Sequence, residues 1–168
     1  MTMFSPEGPF EIPFYQGSGG RTITDDNIQE FWKKNGEYAE RRGCYVFGMR
    51  AGSGLTPGYV GMATKSFKGE VFAPHKLSRY QQFLADYAKG TPVMFFVVAP
   101  RTRGALNVSH VKDLEKFLIE LGVARNPDLL NVKGTKQAEW GITGVVRRPS
   151  GKPSASARHF KKLMGIST

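Results

Sequence analysis

The run Val93-Met94-Phe95-Phe96-Val97-Val98-Ala99 carries no polar side chain at any position. A strand with one wet face alternates apolar and polar residues, so a run that is apolar throughout must be covered on both faces. It reads as a central strand, and it obliges the rest of the chain to supply neighbours on both sides of a sheet. Leu77, Tyr80, Leu84 and Tyr87 recur near helical spacing within Lys76–Lys89. Leu114, Phe117, Leu118 and Leu121 form a second stripe, on a segment capped at Ser109 and ending near Gly122. Thr24 reads as an N-cap before Asp25 and Asp26, with Ile28, Phe31 and Trp32 as the apolar face that follows.

Cys44–Met49 and Tyr59–Met62 read as two further strands, joined by an enlarged turn from Gly52 to Gly58. Gly141–Arg147 reads as another strand and Ser154–Met164 as a short, very basic helix. The opening residues read as irregular, being rich in proline and glycine. The expected fold class is α+β: a small mixed or antiparallel sheet flanked by helices. Residues 1–42 read as an N-terminal extension with one helix, 43–132 as the core, and 133–168 as a basic strand and helix packing on that core.

The chain of 168 residues has a net charge of +10, unevenly spread. Residues 1–42 carry five Lys/Arg against seven Asp/Glu; residues 43–168 carry nineteen against seven. From Lys133 onward there are eight basic residues and one acidic. Such an excess on one part of a domain suits a polyanion, because each neutralised phosphate releases condensed counterions. Nucleic acid is the leading partner class, though charge separates neither DNA from RNA nor binding from cutting. The single cysteine, Cys44, lies in an apolar run, reads as a buried reduced thiol, and excludes both a disulfide framework and a zinc site of several thiolates. The N-terminus lacks the basic start and apolar core of a signal peptide, and no apolar run reaches membrane-spanning length. The expectation is a soluble, cytoplasmic protein without a membrane partner.

Two places invite chemistry. On the helix beginning near Ser109, Glu115 has Val111, Leu118 and Ile119 at its i−4, i+3 and i+4 positions. A carboxylate at the edge of a buried stripe needs either a basic partner or a cation. One carboxylate, completed by waters and a substrate phosphate, is a normal way to hold Mg²⁺. The second place is the segment after Tyr59, which gathers Lys65, Lys68, His75 and Lys76 behind small residues that would let a phosphate backbone approach. Phosphodiester hydrolysis needs an activated water, neutralised charge on the phosphorane and help for the leaving oxygen. A tyrosine, a cation-rich loop and a metal-binding glutamate can supply those parts.

These residues resemble the GIY-YIG nuclease superfamily. Gly43-Cys44-Tyr45 stands where the family has Gly-Ile-Tyr, and Tyr59-Val60-Gly61 where it has Tyr-Ile-Gly. Glu115, Leu118-Ile119 and the loop Pro127–Asn131 follow in the order of the family's glutamate helix, Leu-Ile pair and loop asparagine. The resemblance spans about residues 43–132 and implies a three-stranded sheet flanked by helices and hydrolysis of phosphodiester bonds, usually in DNA, with one divalent cation. By position it implies that Tyr45 and Tyr59 line the active site, one of them orienting or deprotonating water. Glu115 would hold Mg²⁺ or Mn²⁺, Asn131 would brace the metal or phosphate side, and His75 would assist water activation. Met62 stands where many members carry a lysine, and Gly69 where the family arginine is expected; Lys68, Lys65 or Arg79 could supply that cation as a local shift allows.

The sequence thus leads to a metal-dependent endonuclease. Tyr45, Tyr59, Lys68, His75 and Glu115 would be catalytic, with Lys65, Lys76, Arg79 and Asn131 at phosphate. Arg147, Arg148 and Lys161, in the basic C-terminal segment, would grip the backbone outside the cleft. A non-catalytic nucleic-acid-binding module on the same scaffold is the alternative, and a protein-interaction domain whose charge serves solubility is the third reading.

Overall fold

The computed structural model describes residues 1–101, 104–131, 142–143, 145 and 153–165. The chain divides into two compact units, Met1–Thr135 and Lys136–Thr168. The first unit is α+β. Its elements run β1 (Ser5–Glu11), β2 (Tyr15–Gly17), β3 (Gly20–Thr22), α1 (Asp25–Lys34), α2 (Gly36–Ala39), β4 (Gly43–Ala51) and β5 (Gly54–Ala63). They continue through α3 (Phe67–Glu70), α4 (Pro74–Asp86), β6 (Thr91–Val98) and α5 (Val108–Arg125). In the second unit, helix α6 (Ala155–Leu163) carries Arg158, Lys161 and Lys162, and the Ser154 hydroxyl caps it by accepting from the Ala157 N–H. Of the expected strand at 141–147 only 142–143 and 145 are described, and there Val145 N donates to Ile142 O (2.9 Å) in a turn; Arg147 and its neighbour Arg148 lie outside the described residues.

Four strands form one antiparallel sheet in the order β1-β6-β4-β5, with β2 and β3 as a separate small hairpin. The apolar run is an interior strand, β6, paired to β1 on one side and β4 on the other. Alternation along β4 divides the core. Tyr45, Phe47 and Met49 join Phe31, Phe67, Tyr80, Met94 and Phe96 in the larger cluster. Val46, from the positions between, packs with Val60, Ile119, Val123 and Leu129. Phe47 stacks on Tyr80 at 4.3 Å and Phe67 on Phe96 at 4.4 Å, so aromatic rings make up much of the larger cluster.

The first 42 residues are not an extension. Strand β1 pairs with β6 from Ser5↔Val98 to Glu11↔Val93, and Ile12, Ile23, Phe31 and Trp32 are buried in the core. Pro6 and Pro9 disguise β1 in the sequence, but a strand at the sheet edge needs no N–H on its outer side. Arg21, on β3, donates to the carbonyls of Leu84, Tyr87 and Gly90, which ties the small hairpin to the C-terminal end of α4.

The enlarged turn also resolves differently. β4 and β5 close at Ala51↔Gly54, around Gly52 at φ 59°, and β5 continues through Pro57 and Gly58 to Tyr59. Gly58 is an extra residue at a bulge, where Phe47 faces Tyr59 while Gly48 faces Pro57. A Cβ at Gly58 would stand 2.9 Å from the Phe83 ring. Pro57 is tolerated because β5 is the other edge of the sheet.

That edge is closed by the segment after α5 rather than by a strand. Asn126 Nδ2 donates to Pro57 O (2.7 Å), and Leu130 N to Gly58 O (2.9 Å). The Asn131 carboxamide does both halves of a ladder step: Val60 N donates to its Oδ1 (2.9 Å) and its Nδ2 donates to Val60 O (2.7 Å). Helix α5 is capped two residues before the expected Ser109, with Asn107 accepting from the His110 N–H. It runs past Gly122, which is buried because a Cβ there would meet Leu129 at 3.0 Å.

Replacing Asn131 by Asp keeps the acceptor for Val60 N but turns the donor into an oxygen facing Val60 O. Urea unfolding should lose about 1–3 kcal/mol for Asn131→Asp at neutral pH; a midpoint equal to wild type would remove the latch from the account.

Candidate active site

Beside the C-terminal half of β5 lies a cavity of about 370 Å³ lined by Tyr59, Gly61, Met62, Thr64, Lys65, Glu70, Lys76 and Glu115. Four elements and a loop meet here. β5 brings Tyr59, the following loop Thr64 and Lys65, α3 Glu70, α4 Lys76, and α5 Glu115. The bulge at Gly58 precedes the cavity residues of β5, and the small side of Gly61 leaves room in the wall.

Glu115 is half-buried, and burial raises its pKa above the usual carboxylate value; Lys76 and a backbone hydrogen bond from Met62 pull it down, while Glu70 adds to the rise. Tyr59 is likewise raised, first by burial and then by Glu115 and Glu70, with Arg79 opposing. Its phenol therefore stays protonated at neutral pH and acts as a hydrogen-bond donor. Cys44 lies in the wall behind, its Sγ directed at Val111 O (3.4 Å), and burial with Glu115 nearby pushes its thiol up to about 12. Such a thiol is not a nucleophile.

Tyr45 is placed beneath the cavity, not in it. It is 0% exposed, and in the β4–β5 register it sits opposite Gly61. A Cβ on Gly61 would come within 2.4 Å of the Tyr45 Cζ and hydroxyl. Tyr59 and Tyr80 are close, and the Tyr80 hydroxyl interacts with that of Tyr45, which makes no hydrogen bond of full geometry among the described residues. Burial, with those two tyrosines, holds its phenol far above the usual value, so Tyr45 offers no base for water. Its role is to support: the Lys76 Nζ lies 5.1 Å from its ring centroid.

Of the other residues singled out by sequence, Lys65 and Lys76 line the cavity, whereas Lys68 and His75 are exposed and outside its lining. Arg79 is close enough to lower the Tyr59 pKa, and the Asn131 carboxamide is committed to Val60. Lys161 is on α6 in the second unit. Sequence reasoning missed Glu70, which pairs with Lys76. A signal existed, since Glu70 is the only acidic residue from Gly43 to Ala85. Comparison with protein-family models, curated proteins and solved structures returns no match to this chain.

Two outcomes follow from this packing. Gly61→Ala should cost about 1–3 kcal/mol in thermal or urea unfolding by overpacking against Tyr45. Tyr45→Phe removes a hydroxyl that makes no hydrogen bond of full geometry, should stay within about 1 kcal/mol of wild type, and should recover part of the loss in the Gly61→Ala background. No recovery in the double variant would show that the close approach is not the cause.

The second outcome concerns Glu115. Folding raises its pKa, so the fold favours the protonated carboxyl; that contribution is complete below the unfolded pKa and is lost as pH rises through the folded one. Glu115→Gln should therefore raise the urea midpoint at neutral pH, with the gain vanishing below a pH of about 4. A midpoint lowered at neutral pH would mean that the charge stabilises the fold.

Proposed function

We propose that this chain hydrolyses phosphodiester bonds in nucleic acid, DNA ahead of RNA, as a metal-dependent endonuclease of the GIY-YIG type. The observation that carries the reading is the shared cavity: Tyr59, Lys65, Lys76 and Glu115, from separate parts of the sequence, line one space. The antiparallel β4, β5 and β6 with helices around them are in keeping with the sheet that the sequence resemblance implies, and β1 adds a fourth strand.

The cavity fits a single hydrated divalent cation. Glu115 gives it one hard carboxylate donor, which suits Mg²⁺ or Mn²⁺, with waters and phosphate oxygens completing the shell. Among the described residues no group of three His, Cys, Asp or Glu gathers, so the site depends on substrate to complete it. When bound, the ion would neutralise charge on the phosphoryl group and lower the pKa of water. Glu115 would hold it. Tyr59, protonated, would orient a phosphate oxygen or the attacking water by donating a hydrogen bond. Lys65, exposed at the mouth, would draw the backbone in, and Arg158, Lys161 and Lys162 on α6 would add phosphate contacts at sites of their own.

The test is incubation of supercoiled plasmid and single-stranded DNA with Mg²⁺ or Mn²⁺. Wild type should nick at least one substrate, and Glu115→Ala should reduce the rate by about 100-fold or more. Salt-sensitive binding with no cutting under any of these conditions would replace the enzyme by a nucleic-acid-binding module.

A further inference from the structure

Lys76 is the one charged side chain that is buried among the described residues, at 4% exposure. A buried ammonium persists only when it is paired. Its partner, the Glu70 carboxylate on α3, is bonded directly to Nζ, and the Tyr45 ring lies along another side. The two partners are unequally housed. The lysine side chain is 6% exposed and the glutamate side chain 43%. The cation is fixed in the wall and its anion stands partly in water, and both line the same cavity.

That asymmetry bears on what the cavity can accept. An anion entering it meets two carboxylates, Glu70 and Glu115, and two cations, Lys76 and the exposed Lys65. Lys65 can follow its ligand into solvent; Lys76 cannot. A phosphodiester carries one negative charge on two non-bridging oxygens, which is also the charge and acceptor type of the carboxylate already bound to Lys76. We propose that Lys76 is the phosphate-binding cation of this cleft and that Glu70 is a placeholder, occupying the ammonium until a nucleic-acid phosphate displaces it. The proposal takes its ligand class from the phosphodiester reading above. It adds that the free cleft is held closed to phosphate by its own carboxylate, which turns outward when substrate binds. Glu70 is then a positioning residue and a threshold for binding. Removing its charge tightens binding through Lys76 and not merely through the overall field.

The experiment measures binding without chemistry. Fluorescence anisotropy of a labelled single-stranded DNA oligonucleotide is read in EDTA over a range of salt for wild type, Glu70→Gln, Lys76→Met and the double variant. Calorimetric titration with inorganic pyrophosphate is run beside it. Lys76→Met should weaken binding and lower the salt slope by about one. Glu70→Gln should tighten binding several-fold with Lys76 present, and the gain should disappear in the double variant. Exposed Glu120→Gln, remote in sequence from the pair, sets the size of a bare charge effect. An equal gain from Glu70→Gln on both backgrounds, or a Glu70→Gln that binds more weakly than wild type, overturns the placeholder. Should Lys76→Met fail to fold, as judged by circular dichroism, Glu70→Gln against Glu120→Gln still decides, since equal effects of the two refute it. The two proposals fail separately. Pyrophosphate binding with the expected coupling but no cutting of DNA removes hydrolysis and leaves the placeholder. DNA cutting with no coupling does the reverse, and absence of binding to both probes overturns both.

Discussion

Strand β4 has a hydrogen-bonded neighbour on each edge and apolar cover on each face, and its register decides what every other element can touch. Side chains alternate along a strand, so a slip by one residue would exchange Tyr45, Phe47 and Met49 for Cys44, Val46 and Gly48 on the aromatic side. In the register adopted, the largest buried residues of β4 enter the cluster that holds Phe31, Phe67 and Tyr80, while Cys44 and Val46 face α5 and its surroundings. Tyr45 opposite Gly61 is one result of that choice. The glycine admits the ring, the ring lies against the Lys76 ammonium, and the floor of the cavity is set before any side chain in the cavity itself is considered.

Above that floor the chain keeps groups where folding alone would not place them. Burial works against the charge on Glu115, and Lys76 needs a partner to remain in the wall at all. An apolar residue at either position would face no such opposition. Their presence around one cavity, with Tyr59 ahead of both in sequence and raised by burial as Glu115 is, is the pattern expected where reactivity is kept in preference to stability.

Much of this was legible from residue order. The apolar run of β6 required two covered faces, the Thr24 cap with its Asn27 partner started α1 as expected, and the apolar neighbours of Glu115 foretold a half-buried carboxylate. The missed features share a cause: they depend on which strand lies at an edge. Pro6, Pro9 and Pro57 look like breaks in a sequence, yet they fit strands whose outer N–H groups have no partner strand to serve. Asn131 looked like a ligand because its use of the Val60 backbone requires knowing that β5 lacks a neighbour there. Glu70 passed unnoticed because its significance lies in the burial of another residue, Lys76, which no local spacing reveals.

The β1–β6 pairing has a further consequence. The resemblance read from the sequence starts at Gly43, and a fragment begun there would contain every cavity residue. It would nevertheless expose the whole outer row of N–H and C=O groups on β6, the most apolar strand of the sheet, which β1 otherwise covers. It would also release the C-terminal end of α4 from Arg21, on the helix whose first turn carries Lys76. An open, apolar strand edge recruits other strands. The opening forty residues thus close an edge that would otherwise be free to pair with another strand.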